Sequence, residues 1–316
     1  NEYPWSSKFY IDTGAMMPSD GLDILSNYDA IFLGAVGHPD IQDHITLNGL
    51  LLPIRRKFDQ YVCERPSVLF DGIESPLSGK KPFDIDMVVI RENTEGEYAN
   101  VGGFQYMDFP EEVGIQTGIF TRKGCERVIR YSFELARRRN KKKHLTSITK
   151  SNAQGYGMLV WDRAFERISA EYPDISTDSL LVDAAAMDFI RKPEFFDVVV
   201  ASNLFGDILT DIAAIITGSM GLASSANLDP EGRYPSMFEP VHGSAPDIMG
   251  KAIANPMAQI LTGAMLLRHL GHDDAATDIE KAVLSVLSDG EILTPDLYGS
   301  STTSSVGDAI VSALGK

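Results

Sequence analysis

Only two cysteines occur in 316 residues, Cys63 and Cys125, and they form neither a CxxC pair nor a framework spacing. That excludes a disulfide scaffold and a cysteine-ligated zinc site; it fits a reducing compartment, so a cytoplasmic enzyme is expected. Positive charge is also scarce: 28 Lys and Arg against 44 Asp and Glu give a formal net charge of -16. A nucleic-acid-binding surface needs a basic stripe to release counterions from phosphates, so nucleic acid is not an expected partner. Long apolar runs are missing as well. The closest, residues 208–226, is interrupted by Asp211, two glycines and several hydroxyl residues, and no membrane span is expected. HExxH, G-x-S-x-G, Walker and GxGxxG sequences are absent, which removes zinc-protease, serine-hydrolase and P-loop readings and a standard Rossmann dinucleotide site.

What is present reads as an α/β protein. Short β-rich runs at 30–33, 87–90, 145–149, 180–182 and 198–201 alternate with helical patterns at 47–61, 123–138, 156–171, 208–217 and 255–270. Such alternation implies helices packed on mostly parallel strands, with ligands at strand ends. The single basic run, 137–143, follows an apolar helical pattern and reads mainly as a solvated helix end. Residues 95–118 are Gly-rich and aromatic, which suits either a hairpin over the core or an excursion that pairs with a second subunit.

Four constellations carry chemistry. In Asn203-Leu-Phe-Gly-Asp207-Ile-Leu-Thr-Asp211, two carboxylates four residues apart share one helical face. Their repulsion is relieved by a hard divalent ion; the alternative is a helix-terminus aspartate beside a solvated one. Arg55, Arg56, Arg65 and Arg91 form a local cationic set in an acidic chain, able to hold carboxylates by guanidinium forks or to make surface ion pairs. Lys150 directly follows the apolar run 145–148, where desolvation would make it a general base and snorkelling would make it inert; Tyr98 is either an acid or a packing residue. Glu239-Pro-Val-His242-Gly-Ser-Ala-Pro-Asp247 places small residues between two prolines, a loop that lets a ligand approach the backbone.

In this order, the four constellations resemble the β-decarboxylating dehydrogenases, the family of isopropylmalate, isocitrate and tartrate or D-malate dehydrogenases. The carriers are Ile90-Arg-Glu-Asn-Thr-Glu-Gly-Glu-Tyr98, Ser202-Asn-Leu-Phe-Gly-Asp-Ile-Leu-Thr-Asp211 and Glu239-Pro-Val-His-Gly-Ser-Ala-Pro-Asp247. Pro4-Trp5-Ser-Ser, Met16-Met17-Pro and Asp43-His44-Ile-Thr-Leu look most like the tartrate or D-malate branch. The resemblance implies a two-domain α/β/α sandwich of the isopropylmalate dehydrogenase type, not a standard Rossmann fold. Residues 1–60 and 219–316 would form a large discontinuous domain with the cofactor loop. Residues 61–218 would form a smaller one, with a dimer arm over about 95–118.

The same resemblance implies that Arg55, Arg65 and Arg91 clamp substrate carboxylates, and that Asp207 and Asp211 bind Mg²⁺ or Mn²⁺ together with Asp183 from a partner subunit. Lys150, also from the partner, would take the C2 hydroxyl proton, and Tyr98 would protonate carbon after CO₂ leaves. The active site is then shared across a homodimer. NAD would lie along Glu239, His242, Gly243, Ser244, Ala245 and Asp247, with Asn255 near the adenine. Asp247 accepts ribose hydroxyls and repels a 2′-phosphate, so NAD is expected over NADP. The expected reaction is oxidation and decarboxylation of D-malate or tartrate, with 3-isopropylmalate or isocitrate as the alternative substrates. A non-catalytic regulatory subunit is the alternative of another class; retention of every catalytic residue type speaks against it.

Two features depart from the pattern. The family's opening strand and GDGIG turn are absent and the chain begins at Asn1, so a fragment of the working enzyme is expected. Asn48 stands where the substrate's C3 group is read, and matches neither the isopropylmalate glutamate nor the aromatic residue usual in tartrate and malate types.

Overall fold

The computed structural model describes residues 1–315. They divide into two compact units: Asn1–Gln60, Glu64–Asp86 and Ala213–Lys316 in the first, Tyr61–Cys63 and Met87–Ile212 in the second. Residues 64–86 and 213–218, expected with the smaller domain, thus belong to the first unit.

The first unit holds helices α1 (Ser7–Thr13), α2 (Gly21–Leu25), α3 (Asp43–Thr46) and α4 (Leu52–Lys57), strand β1 (Ala30–Phe32), and most of β2 (Val62–Val68). Between α3 and α4 the helix widens into a π segment, Leu47–Leu51. Pro53 has no N–H to continue the regular ladder, and the Leu52 N–H reaches five residues back to the Leu47 carbonyl. The helix expected over 47–61 runs on past Pro53 but stops at Lys57, where Phe58 leaves helical geometry and Asp59 takes a left-handed φ of 42°, and the chain passes into β2. Strands β9 (Ala226–Leu228) and β10 (Ser236–Phe238) complete the order β1-β10-β9-β2. Helices α9 (Met257–His269), α10 (Asp273–Asp289) and α11 (Thr303–Ala313) close one core over Met257, Val283, Leu287 and Val306; Leu50, Ile54, Phe58 and Met237 form another.

In the second unit β3 (Asp86–Glu92), β8 (Val198–Ala201), β6 (His144–Thr149) and β7 (Ser176–Leu181) pair in parallel in that order, the parallel sheet expected from alternation. All four residues of β8 are buried, and three are valines whose branched side chains suit a strand covered on both faces. Helices α5 (Arg122–Arg139), α6 (Gly157–Ser169), α7 (Val182–Arg191) and most of α8 (Asn203–Ile216) supply the cover. Phe133 stacks on Tyr172 at 4.7 Å, and the buried Trp161 donates to Ser147 Oγ at 3.0 Å. Val182, read as strand, opens α7 and so puts Asp183 in its first turn. Strands β4 (Gly96–Gln105) and β5 (Val113–Ile119) form a separate antiparallel hairpin.

The basic run has more structure than a solvated helix end. Thr121 caps the start of α5, and Asn140 ends it in the left-handed region at φ 48°. Arg139 then bonds the fully buried Asp197 at 3.0 Å, Arg137 bonds Asp174 at 2.5 Å, and the Lys142 ammonium caps the carbonyls of Glu194 and Phe196. Among the described residues no helix is long and apolar enough to cross a membrane.

Candidate active site

In the second unit, β3 delivers Arg91 to its C-terminal end, and α8 brings Asp207 alongside. Gly206 makes that approach possible: a Cβ there would lie 2.6 Å from the Arg91 Cβ. Arg91, 3% exposed, directs Nη1 to Asp207 Oδ1 and gives Nε and Nη2 to Asn203 Oδ1 at 2.9 and 2.7 Å. Tyr98, on β4, donates its hydroxyl to Asp207 Oδ2 at 3.0 Å, and its ring centroid lies 5.2 Å from the Arg91 guanidinium carbon. Three residues expected to act together therefore meet at one carboxylate. Asp207 lies in the second turn of α8, not at the helix start, which removes the helix-capping alternative.

The turn joining Arg91 to Tyr98 is held by its own carboxylates. Glu92 accepts from the Thr94 N–H and hydroxyl at 2.9 and 2.8 Å and from the Glu95 N–H at 2.9 Å. Burial pushes its carboxyl up to about 7, because the charged form loses water that those hydrogen bonds only partly replace. Glu95 seats on the start of α5 through the Thr121 N–H and hydroxyl, both at 2.8 Å. Glu97 does the same for α8, accepting from Ser202 Oγ at 2.9 Å and the Leu204 N–H at 3.2 Å. Negative groups at helix N-termini also suit the macrodipole.

Asp211 is exposed one turn beyond Asp207. This all-oxygen donor pair suits a small hard cation better than zinc or copper. Among the described residues no three His, Cys, Asp or Glu side chains are grouped to hold a metal. Lys150 and Asp183 are brought together elsewhere in the unit, at the ends of β6 and β7, with Nζ 2.6 Å from Oδ1. Lys150 is thus ion-paired, its side chain 26% exposed. Its ammonium holds the Asp183 carboxyl below the usual carboxylate range.

In the first unit Arg55 and Glu239 form a buried pair at 2.7 Å, their side chains 6% and 12% exposed, and Asn227 donates to the same Glu239 oxygen at 2.9 Å. The buried Arg55 Nε has no hydrogen-bond partner. Arg65 is also buried. Asn48 sits in the π segment and donates to the His44 carbonyl at 2.8 Å. The loop from His242 ends in a short 3-10 turn, Pro246–Ile248, after Ala245 takes a left-handed φ of 44°. Gly243, Ala245 and Asp247 are exposed, and His242 bonds the adjacent Gly243 carbonyl at 2.9 Å through Nδ1. Gly37 presses against this loop: a Cβ on it would come within 2.8 Å of Ser244 Oγ. Asn255 donates to Asp296 at 3.0 Å, and Asp296 also accepts from Ser219 and Thr294.

The sequence reading missed Gly37, Asp296, Gly206, Asn203, Glu95 and Glu97 as parts of these arrangements. The last four lie inside the very segments that carried the resemblance; their partners depend on tertiary packing.

The isocitrate/isopropylmalate dehydrogenase family model matches residues 1–310. A probable tartrate dehydrogenase/decarboxylase of Agrobacterium vitis is 51% identical over 312 residues, covering 99% of this chain and 87% of that protein. The decarboxylating D-malate dehydrogenase of Escherichia coli is 51% identical over 313 residues, covering 97% and 86%. The crystal structure of isocitrate dehydrogenase from Methylococcus capsulatus superposes with a TM-score of 0.89 at 37% identity, covering 98% of this chain and 89% of that one. The α/β fold, the order of the motifs and these relatives agree, and the chain belongs to the isocitrate/isopropylmalate dehydrogenase family.

Proposed function

We propose that this chain is a cytoplasmic, NAD-linked, divalent-metal-dependent dehydrogenase that oxidises and decarboxylates D-malate or tartrate. The observation that carries the reading is the meeting of Arg91, Tyr98 and Asp207, which sets an anion-binding group and a proton-bearing hydroxyl around one carboxylate. Relatives half identical over nearly the whole chain are named for these substrates.

In this reading Arg55, Arg65 and Arg91 bind the substrate's carboxylates, and the unpartnered Nε of Arg55 is a donor in need of such an acceptor. Asp207 and Asp211, with Asp183 of a second copy, hold Mg²⁺ or Mn²⁺. A divalent ion held there would supply Lewis-acid polarisation of the substrate's C2 oxygen, and a nicotinamide cofactor would supply the acceptor for the C2 hydride. Lys150 of the second copy, as the neutral amine once Asp183 is engaged by the ion instead of by the ammonium, receives the C2 hydroxyl proton. Tyr98 gives a proton to C3 after the C3–C4 bond breaks and CO₂ departs, the electron pair having been drawn toward the C2 carbonyl. Glu239 and the 242–247 loop bind the cofactor with Asn255, and Asp247 selects NAD by accepting ribose hydroxyls.

Shared sites require a homodimer, and two helices support one. On α8, Ile208 and Ile215 are exposed and flank Asp211 at helical spacing; on α7, the exposed Met187 and Ile190 follow Asp183 one and two turns on, along the same face. Metal-binding aspartates set in exposed apolar stripes suit faces that close on one another. The hairpin adds Phe104, Tyr106 and Phe109, each 65% exposed, as a candidate arm.

The test follows NADH formation with Mn²⁺ and a panel of D-malate, tartrate isomers, 3-isopropylmalate and isocitrate. Turnover of D-malate or tartrate ahead of the others is expected. Preference for 3-isopropylmalate or isocitrate would move the substrate within the family, as Asn48 allows, and no turnover on any would favour a regulatory subunit.

A further inference from the structure

Asn203 opens α8 and is 3% exposed. Its Oδ1 accepts both Nε and Nη2 of Arg91, while its Nδ2 donates to the Glu95 carbonyl at 3.1 Å. Only one amide orientation satisfies both partners, since the reverse would turn an NH₂ toward the guanidinium donors and an oxygen toward a carbonyl.

The Asn203 backbone is fixed independently. Glu97 bonds Ser202 and Leu204, the residues on either side of it. Gly96, at φ +72°, brings the turn so close that a Cβ there would sit 3.3 Å from the Asn203 Cβ. One edge of the guanidinium is therefore held by a neutral group whose own position is set from two directions, and Nη1 is directed to Asp207. A carboxylate at this position would also orient the arginine, but would offset its charge. An amide orients it without adding a second negative charge to that of Asp207.

We infer that Asn203 is a positioning residue: it locks the plane of the Arg91 guanidinium without neutralising it, so that the arginine meets a substrate carboxylate in a prepared orientation. This rests on the proposed role of Arg91 in substrate binding.

The experiment is a double-mutant cycle on the full chain, using Asn203→Ser, Arg91→Lys and their combination, with D-malate, NAD and Mn²⁺. Serine suits a helix start but is too short to reach the guanidinium. Asn203→Ser is expected to raise KM for D-malate by about ten- to hundredfold with a smaller change in kcat. In the Arg91→Lys background, where there is no planar fork to orient, it should add little. Asn203→Asp, which retains an oxygen for Arg91 but pairs its charge, should raise KM several-fold, and keeps the test available if the serine variant does not fold. D-malate should also raise the unfolding midpoint of either Asn203 variant less than that of the parent when NAD is absent.

If Arg91→Lys raises KM and the Asn203 variants do not, the positioning role is wrong and the substrate-binding reading stands. Full additivity of Asn203→Ser and Arg91→Lys also overturns it. If Arg91→Lys leaves KM unchanged, the substrate-binding reading fails and takes this inference with it.

Discussion

Replacing Arg139 with methionine should destabilise the second unit far more than loss of a surface charge would. Asp197 is fully buried immediately before β8, accepting from Arg139 Nε at 3.0 Å and the Lys142 N–H at 3.1 Å. Removing one partner of such a pair typically costs about 3–5 kcal/mol, because the other charge stays desolvated. The surviving Lys142 bond and the 14% exposure of Arg139 reduce this to about 2–4 kcal/mol. Methionine keeps the arm's apolar volume, so the loss reports the ion pair and not a cavity. Urea unfolding can be followed through Trp161, buried in this unit, after Trp5, in the other, is changed to phenylalanine. Adding Asp197→Asn to Arg139→Met should recover part of the loss, since the unpaired buried charge is then gone. A midpoint shift worth less than about 0.5 kcal/mol, the range of an ordinary surface substitution, would refute the reasoning and return the 137–143 run to a solvated helix end.

Asp207→Asn should abolish Mn²⁺-dependent turnover with an unchanged far-ultraviolet spectrum; unaltered activity would take Asp207 out of the metal site. Asp247→Lys should shift the ratio of kcat/KM for NAD over NADP toward NADP, and an unmoved ratio would show that cofactor choice is made elsewhere. Glu92, with its carboxyl raised to about 7 from 4.5, keeps a proton when folded that the unfolded chain has already released. Its contribution is accordingly most favourable below pH 4.5 and is lost as pH rises through 7, by about 3 kcal/mol at 1.36 kcal/mol per pH unit. Comparing stability from pH 5 to 8 in the parent and in Glu92→Gln checks this: the parent should show the steeper fall, and parallel profiles would contradict it.

The parts of the fold legible in sequence are those whose local pattern agrees with their final burial. The apolar run of β8 and the amphipathic faces of α5 and α6 were of this kind, and the structure places them within a residue or two of expectation. The helix expected over 47–61 is cut short because apolar periodicity carries through Phe58 and Tyr61 and gives no sign of the left-handed turn at Asp59 that ends it. Val182 is apolar and β-branched, so it resembled strand; its position after β7 made it the first residue of α7 instead. Arg91 and Asp207 stand out because charged groups at the ends of apolar runs are conspicuous, and Tyr98 only because it follows Arg91 by seven residues. Asn203, Glu97, Gly206 and Asp296 did not, because what each does depends on a partner distant in sequence: 112 residues for the Asn203–Arg91 bond and 41 for Asp296–Asn255.

The most direct measurement is the stoichiometry of the reaction on D-malate with NAD and Mn²⁺. Equal molar amounts of NADH and CO₂, formed together and both lost on chelation of the metal, are the predicted result. NADH without CO₂, or turnover that persists without a divalent ion, would contradict a metal-dependent oxidative decarboxylation.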